Sequence, residues 1–198
     1  MARTAAYDRV EVLGRARDLF WEKGYHATSL KDLEAALDMR PGSIYAAFGS
    51  KEKLFAEALA LYAEASGREF DRIQEEHASP LDGLAAHVRS LGGICDHDAP
   101  SRACMLVKTV LETPEDDPAL RRAAEDLIRR VETGFADRFK AAKTQGEIAA
   151  DADPERLARR LQAEIFGLRA YAQRSDAANR VRELAEDIAI DIEALRVA

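Results

Sequence analysis

The chain has 198 residues, 47% hydrophobic and 33% charged, a balance that excludes a disordered or fibrous protein and describes a soluble globular one. Its net charge of −7 is unevenly spread: residues 1–55 hold nine Lys/Arg against eight Asp/Glu, and the rest hold twenty against twenty-eight. An acidic body joined to a near-neutral head disfavours coating by polyanions and fits local contact with DNA. The length suits a small domain joined to a larger one, with a core that needs no staples. Cys95 and Cys104 make no disulfide framework and fit a reducing compartment. No secretory signal opens the chain and apolar runs such as Ala103–Val107 are far too short to cross a bilayer, so a cytoplasmic location away from membranes is expected.

Almost every segment reads as helix. Val10, Leu13, Ala16 and Phe20 recur at spacings of three and four, the buried face of a first helix that stops near Gly24. Thr28 or Ser29 caps a second, short helix with Leu30, Leu33 and Leu37 inside, and Asp32 sits three residues after Ser29 as in a capping box. Residues 38–42 form a turn, with Pro41 in the first turn of a third helix, Ser43 to Phe48, ended by Gly49. Ser50 caps a long fourth helix running to about residue 78, which reaches the body at Tyr62 and Phe70. Further helices are expected at about 81–95, 102–112 (broken at Thr113-Pro114) and 118–144 (ended by Gly146), then from Asp153-Pro154 and from Ser175-Asp176. No period-two run and no tandem repeat appears. The expected fold is all-α with nine helices.

Two short helices joined by a tight turn, the second opening on small and polar residues, describe a helix-turn-helix, whose second helix presents its N-terminal side chains to base edges in the major groove. Ile44 and Phe48 are four apart and share a face, so they pack inward and leave Arg40, Ser43, Tyr45 and Ala46 outward. Gly42 lets the backbone approach a phosphate closely. Thr28 and Lys51, at or beside helix starts, are phosphate anchors.

The runs Ala16-Arg17-Asp18-Leu19-Phe20, Gly24-Tyr25-His26-Ala27-Thr28-Ser29-Leu30 and Pro41-Gly42-Ser43-Ile44-Tyr45-Ala46-Ala47-Phe48-Gly49-Ser50-Lys51-Glu52-Lys53-Leu54-Phe55 resemble the DNA-binding domain of TetR-family repressors. The resemblance covers roughly the first 55 residues. It implies a TetR-like dimer of nine-helix, Ω-shaped subunits, with DNA-binding residues 1–50 and a ligand-sensing and dimerisation domain over 51–198. It implies that the C-terminal domain binds a small-molecule inducer and releases operator DNA. Thr28, Ser29, Arg40, Gly42, Ser43, Tyr45 and Lys51 fall on positions that commonly contact DNA in that family.

Two apolar stripes, Leu157/Leu161/Ile165/Leu168/Ala172 and Val181/Leu184/Ile188/Ile192/Leu195, either supply half of an intersubunit four-helix bundle or face their own core; the resemblance favours a homodimer through these last two helices. A sensing cavity is expected among the middle helices, lined by Leu91, Cys95, Met105, Val107, Leu111, Phe135, Phe139, Phe166 and Tyr171, with His87, Lys108 and Arg169 as polar points. Cys104 sits near a helix start with Lys108 four residues on, a setting that favours a thiolate and reaction with oxidants or electrophiles. Some TetR-like repressors that sense such agents carry a cysteine in a similar helix. Cys95, His97, Cys104 and His87 match no standard metal spacing. No G-x-S-x-G, H-E-x-x-H, phosphate-binding glycine loop or dinucleotide fingerprint is present, so neither an enzyme nor a cofactor is expected. A protein-binding helical adaptor is the rival reading, and it leaves Arg40, Tyr45 and Lys51 without a role.

Overall fold

Asp8 opens the first helix, its carboxylate accepting from the amides of Val10 and Glu11, and eight more helices follow through residues 8–113 and 118–197, the parts described by this computed structural model. They are α1 (Arg9–Lys23), α2 (Leu30–Leu37), α3 (Pro41–Phe48), α4 (Lys51–Glu75), α5 (Pro80–Leu91), α6 (Met105–Glu112), α7 (Pro118–Thr144), α8 (Pro154–Tyr171) and α9 (Ala178–Glu193). Local chemistry sets most of the boundaries. Gly24 ends α1 at φ 82°, a conformation that a side chain resists. Ser29 and Asp32 form a reciprocal capping box on α2. Asp38 takes the left-handed turn that Asp tolerates, and Pro41 starts α3. Ser50, Ser79 and Asp153 cap α4, α5 and α8 with their side chains.

Some boundaries differ from the sequence expectation: helix α4 ends at Glu75, about three residues early. Helix α5 stops at Leu91, where Gly92 and Gly93 follow in a turn. Helix α6 begins only after Cys104, whose backbone is extended. Helix α9 starts at Ala178 without a side-chain cap, because the Asp176 carboxylate pairs with Arg174 and Arg180 instead. Pro114, expected to break the chain after α6, lies outside the described residues.

Two apolar cores result. The head core unites Ala16, Phe20, Leu33, Leu37, Ile44 and Phe48 with Leu54, Phe55, Leu59 and Tyr62 of α4, Met105 and Leu106 of α6, and Leu120 and Ala124 of α7. The body core joins α5, α7, α8 and α9 around Leu84, Val88, Phe135, Phe139, Leu161, Leu168 and Val181. Each fully buried Phe or Leu contributes about 1.5–3 kcal/mol. Helix α4, about 38 Å long at 1.5 Å per residue, passes from one core to the other: Tyr62 belongs to the first, and Phe70 packs against the second. Arg89 of α5 reaches Glu186 and Glu193 of α9, fixing those helices side by side.

The two stripes on α8 and α9 face mainly inward, the second of the two readings open to them. Leu161, Ile165, Leu168, Ala172, Val181 and Ile192 are buried in their own body core, and Leu157, Ile188 and Leu195 are half-buried against it. Only Leu184 reaches the surface, joined by Ile190 of the same helix.

Candidate nucleic-acid interface and ligand site

Helix α3 owes its orientation to two residues. Ile44 (1% exposed) and Phe48 are buried in the head core, which turns Tyr45 (42% exposed) outward together with Gly42, Ser43 and Ala46. Arg40, at the N-cap, is exposed and holds no side-chain partner among the described residues. The open space around Gly42 leaves its backbone accessible, with nothing within 4 Å of where a Cβ would stand. Ser29 is exposed at the start of α2, its hydroxyl shared with Asp32. Lys51 lies in the first turn of α4 with its ammonium 4.3 Å from the Tyr25 ring centre, and partial burial lowers its pKa. Tyr25 in turn donates to Glu52 at 2.9 Å.

Thr28 is the exception among the expected DNA contacts. It is 1% exposed, its hydroxyl donates to Gly24 O at 2.6 Å and its amide to Tyr25 O, so its hydrogen-bonding groups are used inside the head. Ser29, not Thr28, caps α2.

The charge of the head is sorted as well as shaped. Arg9 pairs with Glu57, Arg15 with Glu11, Arg17 with Asp18 and Lys23 with Asp32, whose carboxyl the Lys23 hydrogen bond holds well below the usual range. Lys31, Arg40 and Lys53, in the cap or first turn of α2, α3 and α4, stay unpaired among the described residues. Sequence reasoning missed Lys31 and Lys53. Lys53 stands four before Glu57, the spacing of a helix ion pair, but Glu57 is taken by Arg9.

Of the expected ligand contacts, the structure gathers some and disperses others. His87 and Phe135 meet, with ring centres 6.0 Å apart, and Phe70 of α4 completes the group at 4.9 Å and 5.3 Å. Burial first, then the nearby Arg169 charge, push the His87 pKa down to about 4. Phe166, Leu91, Cys95 and Arg169 are half-buried. Cys104 lies beside Tyr62, a buried phenol whose pKa is raised, chiefly by burial. Leu111 is 79% exposed and is corrected out of the cavity. Lys108 does not serve Cys104: its ammonium donates to Trp21 O (3.2 Å) and Glu22 O (2.7 Å), the carbonyls that α1 leaves unsatisfied at its end. Two shallow grooves lie elsewhere, between α8 and the end of α9; one is lined by Ile148, Asp153, Arg156, Leu157 and Leu195.

Tyr62 of α4, and Trp21 of α1, which sequence reasoning missed, complete this region. Trp21 donates its indole N–H to Ala103 O at 2.7 Å and stacks edge-on to Tyr62 at 5.0 Å. The segment around Cys104 therefore holds α1 at two points, Trp21 directly and the helix end through Lys108. The partners stand more than eighty residues apart, beyond any local pattern.

An outward-facing short helix on a small helical head, with free cations at three helix starts and a larger helical body behind, defines a DNA-binding transcriptional regulator. Residues 12–58 match the family of bacterial regulatory proteins called tetR, and residues 80–188 the tetracyclin repressor-like C-terminal domain. The chain belongs to the TetR family. It is 28% identical over 184 residues to the HTH-type transcriptional regulator YezE of Bacillus subtilis, covering 92% of this chain and 95% of that one. It is 24% identical over 191 residues to the HTH-type transcriptional repressor ComR of Escherichia coli, covering 92% and 88%. A cysteine-substituted form of the TetR family regulator CifR, solved with a 26-base-pair operator duplex, superposes with a TM-score of 0.85 at 33% identity, covering 99% of this chain and all of that one. No helix among the described residues is long and apolar enough to cross a membrane.

Proposed function

We propose that this regulator is a cytoplasmic homodimeric repressor, released from its operator when a small molecule occupies the region between α4, α5, α7 and α8. Residues 1–50 carry the DNA-reading surface and 51–198 the sensing and dimerisation surfaces. Ser29, Arg40, Gly42, Ser43, Tyr45 and Lys51 contact the duplex, joined by Lys31 and Lys53 on phosphates. Two copies meet through the outer faces of α8 and α9, where Leu184 and Ile190 are the large apolar side chains left exposed. Their recognition helices then fall about 34–36 Å apart, one turn of duplex.

The observation that carries the release mechanism is the double grip of the α6 segment on α1. Tyr62 touches both Cys104 and Trp21, so an occupant that moves Tyr62 or α6 also moves Trp21, Lys108 and the seat of the head. Ligand-dependent change in head spacing is then set by differential affinity for the two arrangements. Modification of the Cys104 thiol is the second trigger this contact supports, since a bulky adduct displaces Tyr62.

Electrophoretic mobility shift with the DNA upstream of the protein's own gene tests the reading. Tyr45→Ala and Arg40→Ala each weaken specific binding by about 1–3 kcal/mol with little effect on non-specific DNA. Undiminished specific binding by both variants rejects α3 as the reading element. Cys104→Ser retains the operator yet ignores quinones or aldehydes that release the unmodified protein; equal release of both removes the thiol trigger.

A further inference from the structure

Among the described residues, three buried side-chain nitrogens have no hydrogen-bond partner: Nε2 of Gln74, Nδ1 of His87 and Nε of Arg169. Phe70 and Gln74 are four apart on α4, and Gly83 and His87 four apart on α5, so each pair shares a helix face. The two faces meet. The Phe70 and His87 rings are 4.9 Å apart, and a Cβ on Gly83 would stand 2.6 Å from Gln74 Oε1. Phe135 of α7 closes the aromatic wall. Arg169 of α8 acts electrostatically on both His87 and Tyr62.

The balance of charge in this region is unusual. Arg160 and Arg174, on the same helix and just beyond it, hold carboxylates, whereas Arg169 has none among the described residues. The acid that His87 feels is Glu69, which is exposed and held by Arg72 at 2.7 Å. His87 and Tyr62 are neutral at physiological pH, and Arg169, half-buried with its Nε enclosed, has no carboxylate beside it among the described residues. Leaving a guanidinium partly desolvated without a counter-ion weakens a fold, and such a group persists where function needs it. The orphan groups also agree in kind. Arg169 Nε and Gln74 Nε2 only donate, and the Nδ1 of a neutral imidazole donates in one of its two tautomers, whereas a carboxylate only accepts.

We propose that this cluster of unpartnered groups binds a small organic anion, a carboxylate carried on a flat apolar body, with the charged head on Arg169 and His87 and the body against Phe70 and Phe135. The assignment rests on the ligand-release reading above and names the chemistry of its ligand. Matching a half-buried cation with an acceptor-only group satisfies the orphan donors, and the aromatic wall shields the pair from water.

The test uses the full-length protein with 2-naphthoate and its neutral isostere 2-naphthamide, followed by emission of Trp21, the single tryptophan of the chain. Naphthoate binds saturably and at least tenfold tighter than the amide. Arg169→Lys keeps that preference and Arg169→Met abolishes it. Without ligand, Arg169→Met melts at a higher temperature than the parent, because a partly desolvated charge without a counter-ion is gone. Equal affinity for acid and amide, no binding of either, or a lower melting temperature in Arg169→Met each overturn the proposal. An operator-release assay separates this from the broader reading. Naphthoate that binds without freeing DNA leaves the anion site standing and sinks ligand release, whereas release by the amide as readily as by the acid does the reverse.

Discussion

The head and the body are both helical and both close on apolar cores, but they treat polar groups in opposite ways. In the head, the buried polar side chain of Thr28 is satisfied internally, most arginines are paired with acids, and the free cations stand at the surface where α2, α3 and α4 begin. In the body, Gln162 finds a carbonyl, whereas Nδ1 of His87 and Nε of Arg169 have no partner among the described residues. A reader of DNA must hold its recognition surface still, and full internal pairing does that. A sensor must change on binding, and it retains groups that a ligand completes. The α6 segment lies across the join, gripping α1 while bordering Tyr62.

The hardest test of that division is Phe20→Ala. Phe20 is fully buried and meets the Phe55 ring edge-on at 4.9 Å, so truncation costs the head about 3–5 kcal/mol. Hydrogen exchange then shows faster opening in α1–α3 while α8 and α9 keep their protection. Equal loss of protection in α9 makes the two cores one cooperative unit and ends the comparison. The next effect belongs to the body. An unfolded chain protonates His87 below about pH 6.5, while the folded chain resists until about pH 4. Stability is therefore fully present above pH 6.5 and falls as the pH drops towards 4, by about 3 kcal/mol in all. Denaturant titrations of His87→Gln lose this component of the slope. An unchanged slope places His87 in contact with solvent.

These predictions lean on features of unequal legibility. The head was readable because its signals are local: the capping box, Pro41, Gly49 and the four-residue spacing of Ile44 and Phe48 all act within a few residues of themselves. Tyr45 faces outward for the reason the spacing gave. Thr28 misled because a hydroxyl beside a helix start looks the same whether it reaches out or folds back onto Gly24 O. In the body, periodicity found the apolar faces of α8 and α9 but not what lies against them, since a stripe that packs on α5 and α7 has the same period as one that packs on a second subunit. Lys108 was read against its neighbour Cys104, yet the end of α1, eighty-six residues earlier, competes better for an ammonium. Unpaired groups such as Arg169 are a property of the assembled interior and leave no mark on the sequence.

Lys51 offers the smallest effect and the finest discrimination, because it stands at the edge of both roles. Its ammonium lies over the Tyr25 ring, which contributes about 0.5–1 kcal/mol at a partly exposed site. It also stands in the first turn of α4, where a phosphate is favoured by free amides and the helix dipole. Truncation to Ala thus has two separable readouts. Thermal melting reports the brace, with a modest fall. The dependence of operator affinity on salt reports the phosphate contact: its slope decreases by about one unit, and specific and non-specific DNA weaken alike. A lower melting temperature with an unchanged slope makes Lys51 a brace of the head alone, and the duplex-facing charge is then left to Lys31, Arg40 and Lys53.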